Sequence, residues 1–317
     1  MRADDVRVLV EVVARDPVMS PRYRGAEGDL ETALLQLLGA EALLALVFHC
    51  AGDDDDGLAG FGISAFVSDE FARLVTTPPF LWAGRELATR VARGDSPVLS
   101  NTELRRRNEA GGLNAFVWMA WLAPRYRSRL DVLNGYMTAF IEHNRGFQIK
   151  ELISQNDQPE SLESSIRAGG LILTNQGMYT DVASRPPSVL VMEPHCMHVT
   201  REMALSRAAS WVSTLFVYRP PRVFFSAGQQ RLLLAAMGGG TDDELAHQLH
   251  ISLSGVKKTW RQIYQRAAGR LPDWTSDDYR ESPIGERGKG KKQRLLVYLR
   301  DHPEELRPLP RRKQPSG

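Results

Sequence analysis

Apolar residues recur at helical spacing over 4–14 and again over 29–48, where ETALLQLLGAEALLALVF is apolar enough for a core or dimer helix. CAGDDDDGLAG (50–60) interrupts that pattern with glycines and four aspartates. From 61 to 218 the rhythm changes. Short apolar, β-branched or aromatic runs (FGISAFV, LNAFVWMAWLA, GGLILTN, PSVLVME) alternate with helical stretches such as FLWAGRELATRVARG and TREMALSRAASW. Runs of this length bounded by Gly, Pro and Asn predict an α+β domain built on one sheet. Arg219-Pro220-Pro221-Arg222 predicts a hinge, because consecutive prolines suit neither a helix interior nor a central strand. The expected organisation is N-terminal helices over 1–49, the α+β domain over 61–218, a linker over 219–224, a helical domain over 225–268, and a basic extension with its tail over 269–317. Within the extension, 271–290 reads as a loop, KKQRLLVYLRDH (291–302) as a basic amphipathic helix stopped by Pro303, and LRPLPRRKQPSG as a disordered tail.

Length and composition fit two soluble domains: 317 residues, 43% hydrophobic and 25% charged. The net charge of +2 changes meaning when divided along the chain. From Arg222 onward there are 18 basic and 11 acidic residues, against 22 and 27 before it. A basic C-terminal third on an acidic body points to a polyanionic partner. Cys50 and Cys196 stand far apart and predict free thiols in a reducing compartment. The opening MRADDVRVLVEVVARD lacks the apolar core of a signal peptide. The longest apolar runs, ALLALVF and AFVWMAWLA, are about half the ~20 residues of a membrane span, so a cytoplasmic protein without membrane contact is expected.

The helical domain carries the most specific local signals. Ser226 can cap a helix with Leu232, Leu233, Ala236 and Met237 on its inner face, ended by Gly238-Gly239-Gly240. Thr241 and Glu244 form a capping box, so a second helix begins at Asp242, with Leu245, Ala246 and Leu249 inside. His250-Ile251 turns the chain, and Ser252 caps a third helix. At 100° per residue, Ser254, Lys257, Lys258, Arg261 and Gln265 fall on one face of it, within about a 100° arc. Val256, Trp260, Ile263 and Ala267 fall opposite. Lys and Arg neutralise phosphates and reach guanine O6/N7, and Gln pairs with adenine, so the polar face suits a major groove. The plainer alternative is a helical hairpin with a solvated charged face.

Residues 225–267 resemble the LuxR-type (LuxR/FixJ/NarL) helix-turn-helix DNA-binding domain without a gap. The shared positions are Phe225-Ser226, Leu232-Leu233, Gly239, Thr241, Glu244-Leu245-Ala246, Leu249, Ile251-Ser252 and Val256-Lys257. The resemblance implies that the helix opening at Ser252 is the recognition helix and that Lys257 contacts DNA. Four departures stand out. Gly255 occupies a position usually held by a phosphate-contacting threonine, and Thr259 replaces a frequent histidine. Gly228-Gln229 replaces an Arg-Glu pair, and the family's lysine-leucine ending with its dimerising fourth helix is missing after Ala267. The extension either docks on the helical domain through Leu295, Leu296, Tyr298 and Leu299 and adds phosphate contacts, or stands as a solvated amphipathic helix.

Domains of this type are joined to one that controls them. The residues before 219 lack the acidic pair of a phosphoreceiver after a first strand, and they lack a P-loop GxxxxGK[ST]. A sheet with helices suits a small-molecule sensor of GAF, PAS or acyl-homoserine-lactone type. Trp82, Trp118, Trp121 and Tyr136, with Phe140 and Phe147, suit an apolar ligand pocket, or else ordinary core. His195, Cys196 and His198, with His49 and Cys50, are of metal-ligating type, but no CxxC or HExxH accompanies them and no metal is expected. Asp53–Asp56 lack the Gly and Glu of a calcium loop. No G-x-S-x-G elbow or spaced acid pair is present, so an enzyme is not expected. The expected protein is a homodimeric, sequence-specific transcriptional regulator: an α+β sensing or dimerisation domain (GAF/PAS-like) before an all-α LuxR-type helix-turn-helix. Its expected partners are double-stranded DNA, a second copy and a small-molecule effector, with no cofactor specified. The alternative is an interaction or scaffold protein that has lost DNA binding.

Overall fold

The computed structural model describes residues 1–49, 58–156, 170–174, 177–179, 194–206, 210–271 and 287–308. Cys50, the Asp53–Asp56 loop and the PSVLVME run lie outside them. The chain divides into two compact units, Met1–Val217 and Tyr218–Gly317. The fold class is mixed α/β, with one seven-stranded sheet and thirteen α-helices among the described residues. None of these helices is long and apolar enough to cross a membrane.

The first unit holds the whole sheet. Its strands are β1 (Leu43–His49), β2 (Leu58–Val67), β3 (Leu113–Leu122), β4 (Ile149–Asn156), β5 (Leu171–Thr174), β6 (Gly177–Tyr179) and β7 (His195–Thr200), in the order β1-β2-β3-β4-β7-β5-β6. All neighbours are antiparallel except β3 and β4. A parallel pair needs a crossover, and the 15-residue helix Leu130–Asn144 supplies it. The parallel ladder runs only from Leu113↔Ile149 to Val117↔Ser154. Beyond it β3 stays with β2 as far as Leu122, and β4 stays with β7 as far as Asn156.

Helices cover both faces, which is how a sheet with apolar residues on each side escapes water. On one face α1 (Ala3–Arg15), α3 (Glu27–Gly39), α4 (Asp69–Thr76) and α5 (Ala83–Ala92) pack Val6, Leu34, Phe71 and Leu87 onto Phe61, Phe116 and Ile153. On the other, Phe147, Leu215 and Phe216 pack onto Phe66, Ala115 and Leu152. The Gln155 amide fixes the start of α5: Oε1 accepts from Ala83 N–H at 2.7 Å and Nε2 donates to the Leu81 carbonyl at 2.7 Å.

The helix expected over 29–48 is shorter than its spacing suggests. It stops at Gly39, and Leu43–His49 is an edge strand instead. Glu41 takes a left-handed φ of 53°, Ala42 N–H donates to the Leu37 carbonyl and Glu41 N–H to that of Leu38. This is a Schellman ending with glutamate where glycine is usual. A seven-residue apolar run has no period that separates strand from buried helix, and pairing with β2 decides it.

The second unit packs α10 (Ala227–Met237), α11 (Asp242–Gln248), α12 (Leu253–Ala268) and α13 (Arg287–Asp301) around one core. Leu295, Leu296 and Leu299 of α13 are buried with Leu232, Leu233, Val256 and Ile263. The extension is therefore part of this core rather than a solvated helix, and each buried leucine contributes at most about 1.5–3 kcal/mol. Helix α13 also begins earlier than expected, at Arg287. Leu306 and Arg307, expected in a disordered tail, are buried.

Candidate functional site

Three local devices set the helices of the second unit. Ser226 Oγ accepts from Gln229 N–H at 3.4 Å while Gln229 Oε1 accepts from Ser226 N–H at 2.9 Å, so Gln229 does the work of a capping-box glutamate. Thr241 Oγ1 accepts from Glu244 N–H at 3.3 Å and Thr241 N–H donates to Glu244 Oε2 at 2.6 Å. These bonds from the Thr241 backbone and side chain hold the Glu244 carboxyl below its ordinary range. Ser252 Oγ accepts from Gly255 N–H at 3.1 Å and opens α12.

The turn from α11 to α12 is a second Schellman ending. His250 lies at φ 52°, Ile251 N–H donates to the Ala246 carbonyl at 3.0 Å and His250 N–H to that of His247 at 3.2 Å. Ile251, at this turn, is exposed. Leu245 is buried, and Ala246 and Leu249 are half-buried against the core.

Helix α12 separates its faces as expected. Val256, Trp260, Ile263 and Ala267 are buried; Ser254, Lys257, Lys258, Arg261 and Gln265 are all exposed. Trp260 Nε1 donates to Asp242 Oδ1 at 3.2 Å, its ring stacks on Tyr264 at 5.6 Å, and the Lys292 ammonium lies 5.2 Å from the ring centroid. Helix α12 is thereby fixed in rotation, with its donor-bearing side chains outward. Gly255 needs no left-handed φ, but a Cβ there would sit 3.2 Å from Ser252 Oγ, inside the capping hydrogen bond.

A closing clamp left almost no signal in the sequence. Glu305 is fully buried, and its carboxylate accepts from Arg222 N–H (2.7 Å), Val223 N–H (3.0 and 3.1 Å) and the Tyr298 hydroxyl (2.9 Å). Burial, with Glu305 beside it, pushes the Tyr298 hydroxyl up. Gln230 Nε2 donates to the carbonyls of Glu305 and Arg307 at 3.0 and 2.7 Å. The only local hint was an apolar residue beside an acidic pair after Pro303.

In the first unit, two of the four candidate ligand-binding aromatics come together. Trp82 and Trp118 line a recess with Met19, Arg22, Tyr23 and Gln155, beside the point where β3 and β4 part, with enclosed room for about one water molecule. A wider recess of about 920 Å³ including its open mouth shares Trp82 and Arg85 with it. Gly84 is required here: a Cβ would meet Tyr23 Oη at 2.5 Å and the Trp118 indole at 3.1 Å. Trp121 and Tyr136 are not at either recess. Trp121 Nε1 donates to Asp16 Oδ2 at 2.7 Å and its ring stacks on Phe61, while Tyr136 Oη donates to the Phe61 carbonyl at 3.0 Å. Burial would raise the Asp16 carboxyl, yet Trp121, the Met19 and Val18 amides and Arg127 together hold it below the usual range. Phe140 and Phe147 pack on Trp211 and Phe66.

The metal-ligating residue types are dispersed. His195 and Cys196 are successive residues of β7, which point to opposite faces, and His198 Nε2 lies 2.7 Å from Glu151 Oε2. Burial pushes the Cys196 thiol up. Strands β2, β3 and β4 stand between His49 on β1 and β7, roughly 19 Å at 4.8 Å per strand. Compared with protein families, with curated proteins and with solved structures, the chain matches none.

Proposed function

We propose that the chain is a DNA-binding transcriptional regulator, with α11 and α12 as a LuxR-type helix-turn-helix and the first unit as its sensing or dimerisation domain. The observation that carries this reading is the division of α12: five donor-bearing residues outward, and four apolar residues buried against α10, α11 and α13. A donor-rich helix held rigidly by its opposite face is what major-groove readout requires. The first unit, with GAF/PAS-like sensing as the expectation, offers an effector the wider recess lined by Leu81, Trp82 and Arg85.

The test is duplex-DNA binding by the full chain at several salt concentrations. Lys257→Ala and Arg261→Ala should each weaken binding and flatten the log K against log salt slope by about one unit, since each phosphate contact contributes about 0.9. Unchanged binding in both variants would remove α12 as the recognition helix. It would leave the scaffold reading, for which Gly255 in place of a phosphate-contacting threonine is the motive.

A further inference from the structure

The N-terminal turn of α11 is a poor neighbour for DNA by itself. It carries Asp242, Asp243 and Glu244, which suit the helix dipole but repel phosphate. In a helix-turn-helix the first helix crosses the nucleic-acid backbone, so this turn lies where phosphates pass. A second element meets it there. The first eight residues of α13, Arg287–Arg294, contain Arg287, Lys289, Lys291, Lys292 and Arg294 and no acidic residue. Lys292 Nζ lies 3.3 Å from Asp242 Oδ1 and 3.4 Å from the Gly240 carbonyl, and it rests over the Trp260 ring. Leu295, Leu296 and Leu299 lock the following turns of α13 into the core shared with Val256 and Trp260. The basic turn is thus fixed to the start of α11 and to the back of α12.

We propose that the basic start of α13 is a second DNA-gripping element. Lys292 neutralises Asp242 at the turn of α11, and the flanking Lys291 and Arg294 hold the phosphate backbone outside the base pairs read by α12. This inference rests on the DNA-binding reading and extends it to a separate part of the interface. Because Leu295, Leu296 and Leu299 hold α13 in the core, its backbone needs little ordering on binding. Contacts to phosphate position a protein without reading sequence, so this element should supply affinity and salt dependence but no discrimination.

The experiment is fluorescence anisotropy of the full chain with a selected duplex and with a random duplex, across a salt series. Lys292 is left intact because it anchors the helix. The double substitution Lys291→Gln with Arg294→Gln should reduce the salt slope by about two units and weaken both duplexes equally. Gln265→Ala, an uncharged substitution on the base-reading face of α12, should instead narrow the ratio between the two duplexes and leave the salt slope unchanged. The charge-retaining pair Lys291→Arg with Arg294→Lys should keep the wild-type slope, which separates loss of charge from loss of folding. A wild-type slope in the double glutamine variant, with α12 variants still defective, would overturn the α13 element alone. A wild-type chain with no salt-dependent binding to either duplex would overturn the regulator reading and this inference together.

Discussion

A carboxylate taken out of water is tolerated only where donors meet its lone pairs. Glu305 satisfies that condition with two backbone N–H groups and one hydroxyl, drawn from Arg222, Val223 and Tyr298. Those residues lie at the beginning and near the end of the second unit, so one side chain joins its two ends. Removing the carboxylate strands the Val223 N–H, which is buried, as well as that of Arg222. Glu305→Ala should therefore cost about 3 kcal/mol, taking roughly 1–3 for each buried group left unpaired. Tyr298→Phe, which removes one donor and leaves the acceptor otherwise served, should cost about 1 kcal/mol. Equilibrium urea unfolding of the full chain checks both. A Glu305→Ala loss no larger than that of Tyr298→Phe would show that the carboxylate is not the clamp.

Single elements are tied together by short polar networks as much as by apolar burial. Asp69, the first residue of α4, accepts from Asn114 Nδ2 of β3 at 2.9 Å, from Arg107 Nη1 at 2.8 Å and from Lys150 Nζ of β4 at 3.3 Å. Asn114 foremost, then Arg107 and Lys150, bring its carboxyl from the ordinary 3.8 to about 2 against the opposing effect of burial. A carboxyl depressed in the folded state contributes stability that is complete above 3.8 and lost as pH falls toward about 2. The side chain is 47% exposed, and solvent screening limits its contribution to about 1 kcal/mol. The stability gap between wild type and Asp69→Asn should hold constant above about pH 5 and close between about pH 4 and 2; a gap that persists at pH 2 would refute the charge as its source. Elements were legible in the sequence where their signals are local. Thr241 with Glu244 and Ser252 announce two helices, and the 3.6-residue period separates the faces of α12. What escaped is carried by residues that hide their role. Glu41 and His250 take positions where glycine would advertise a helix end. Trp121 and Tyr136 looked like pocket aromatics, but their polar tips are engaged by Asp16 and the Phe61 carbonyl, fixed by packing remote in sequence. Lys292 with Asp242, and Glu305 with Val223, span 50 and 82 residues, and no periodicity reports such pairs.

The whole molecule divides its charge as it divides its structure. From Tyr218 onward there are 19 basic and 11 acidic residues, whereas Met1–Val217 holds 21 and 27. The charge of the second unit thus favours a polyanionic partner, and that of the first does not. An acidic first unit also lowers non-specific attraction of the chain to nucleic acid, leaving affinity to the second unit. One short recognition helix reads few base pairs, and pairing two chains over half-sites a helical turn apart is the general way to gain length and affinity. On the proposed DNA-binding reading, the first unit would bring two chains together, hold an effector, or both. Native mass spectrometry of the full chain at low micromolar concentration addresses these together. The expected species is twice the 35.4 kDa chain mass, with an additional small-molecule mass that disappears on denaturation. Trp82→Ala should reduce that added mass, because Trp82 lines the wider recess. A paired chain with no added mass would assign the first unit to dimerisation alone. A single-chain mass at concentrations that bind DNA specifically would end the homodimer proposal.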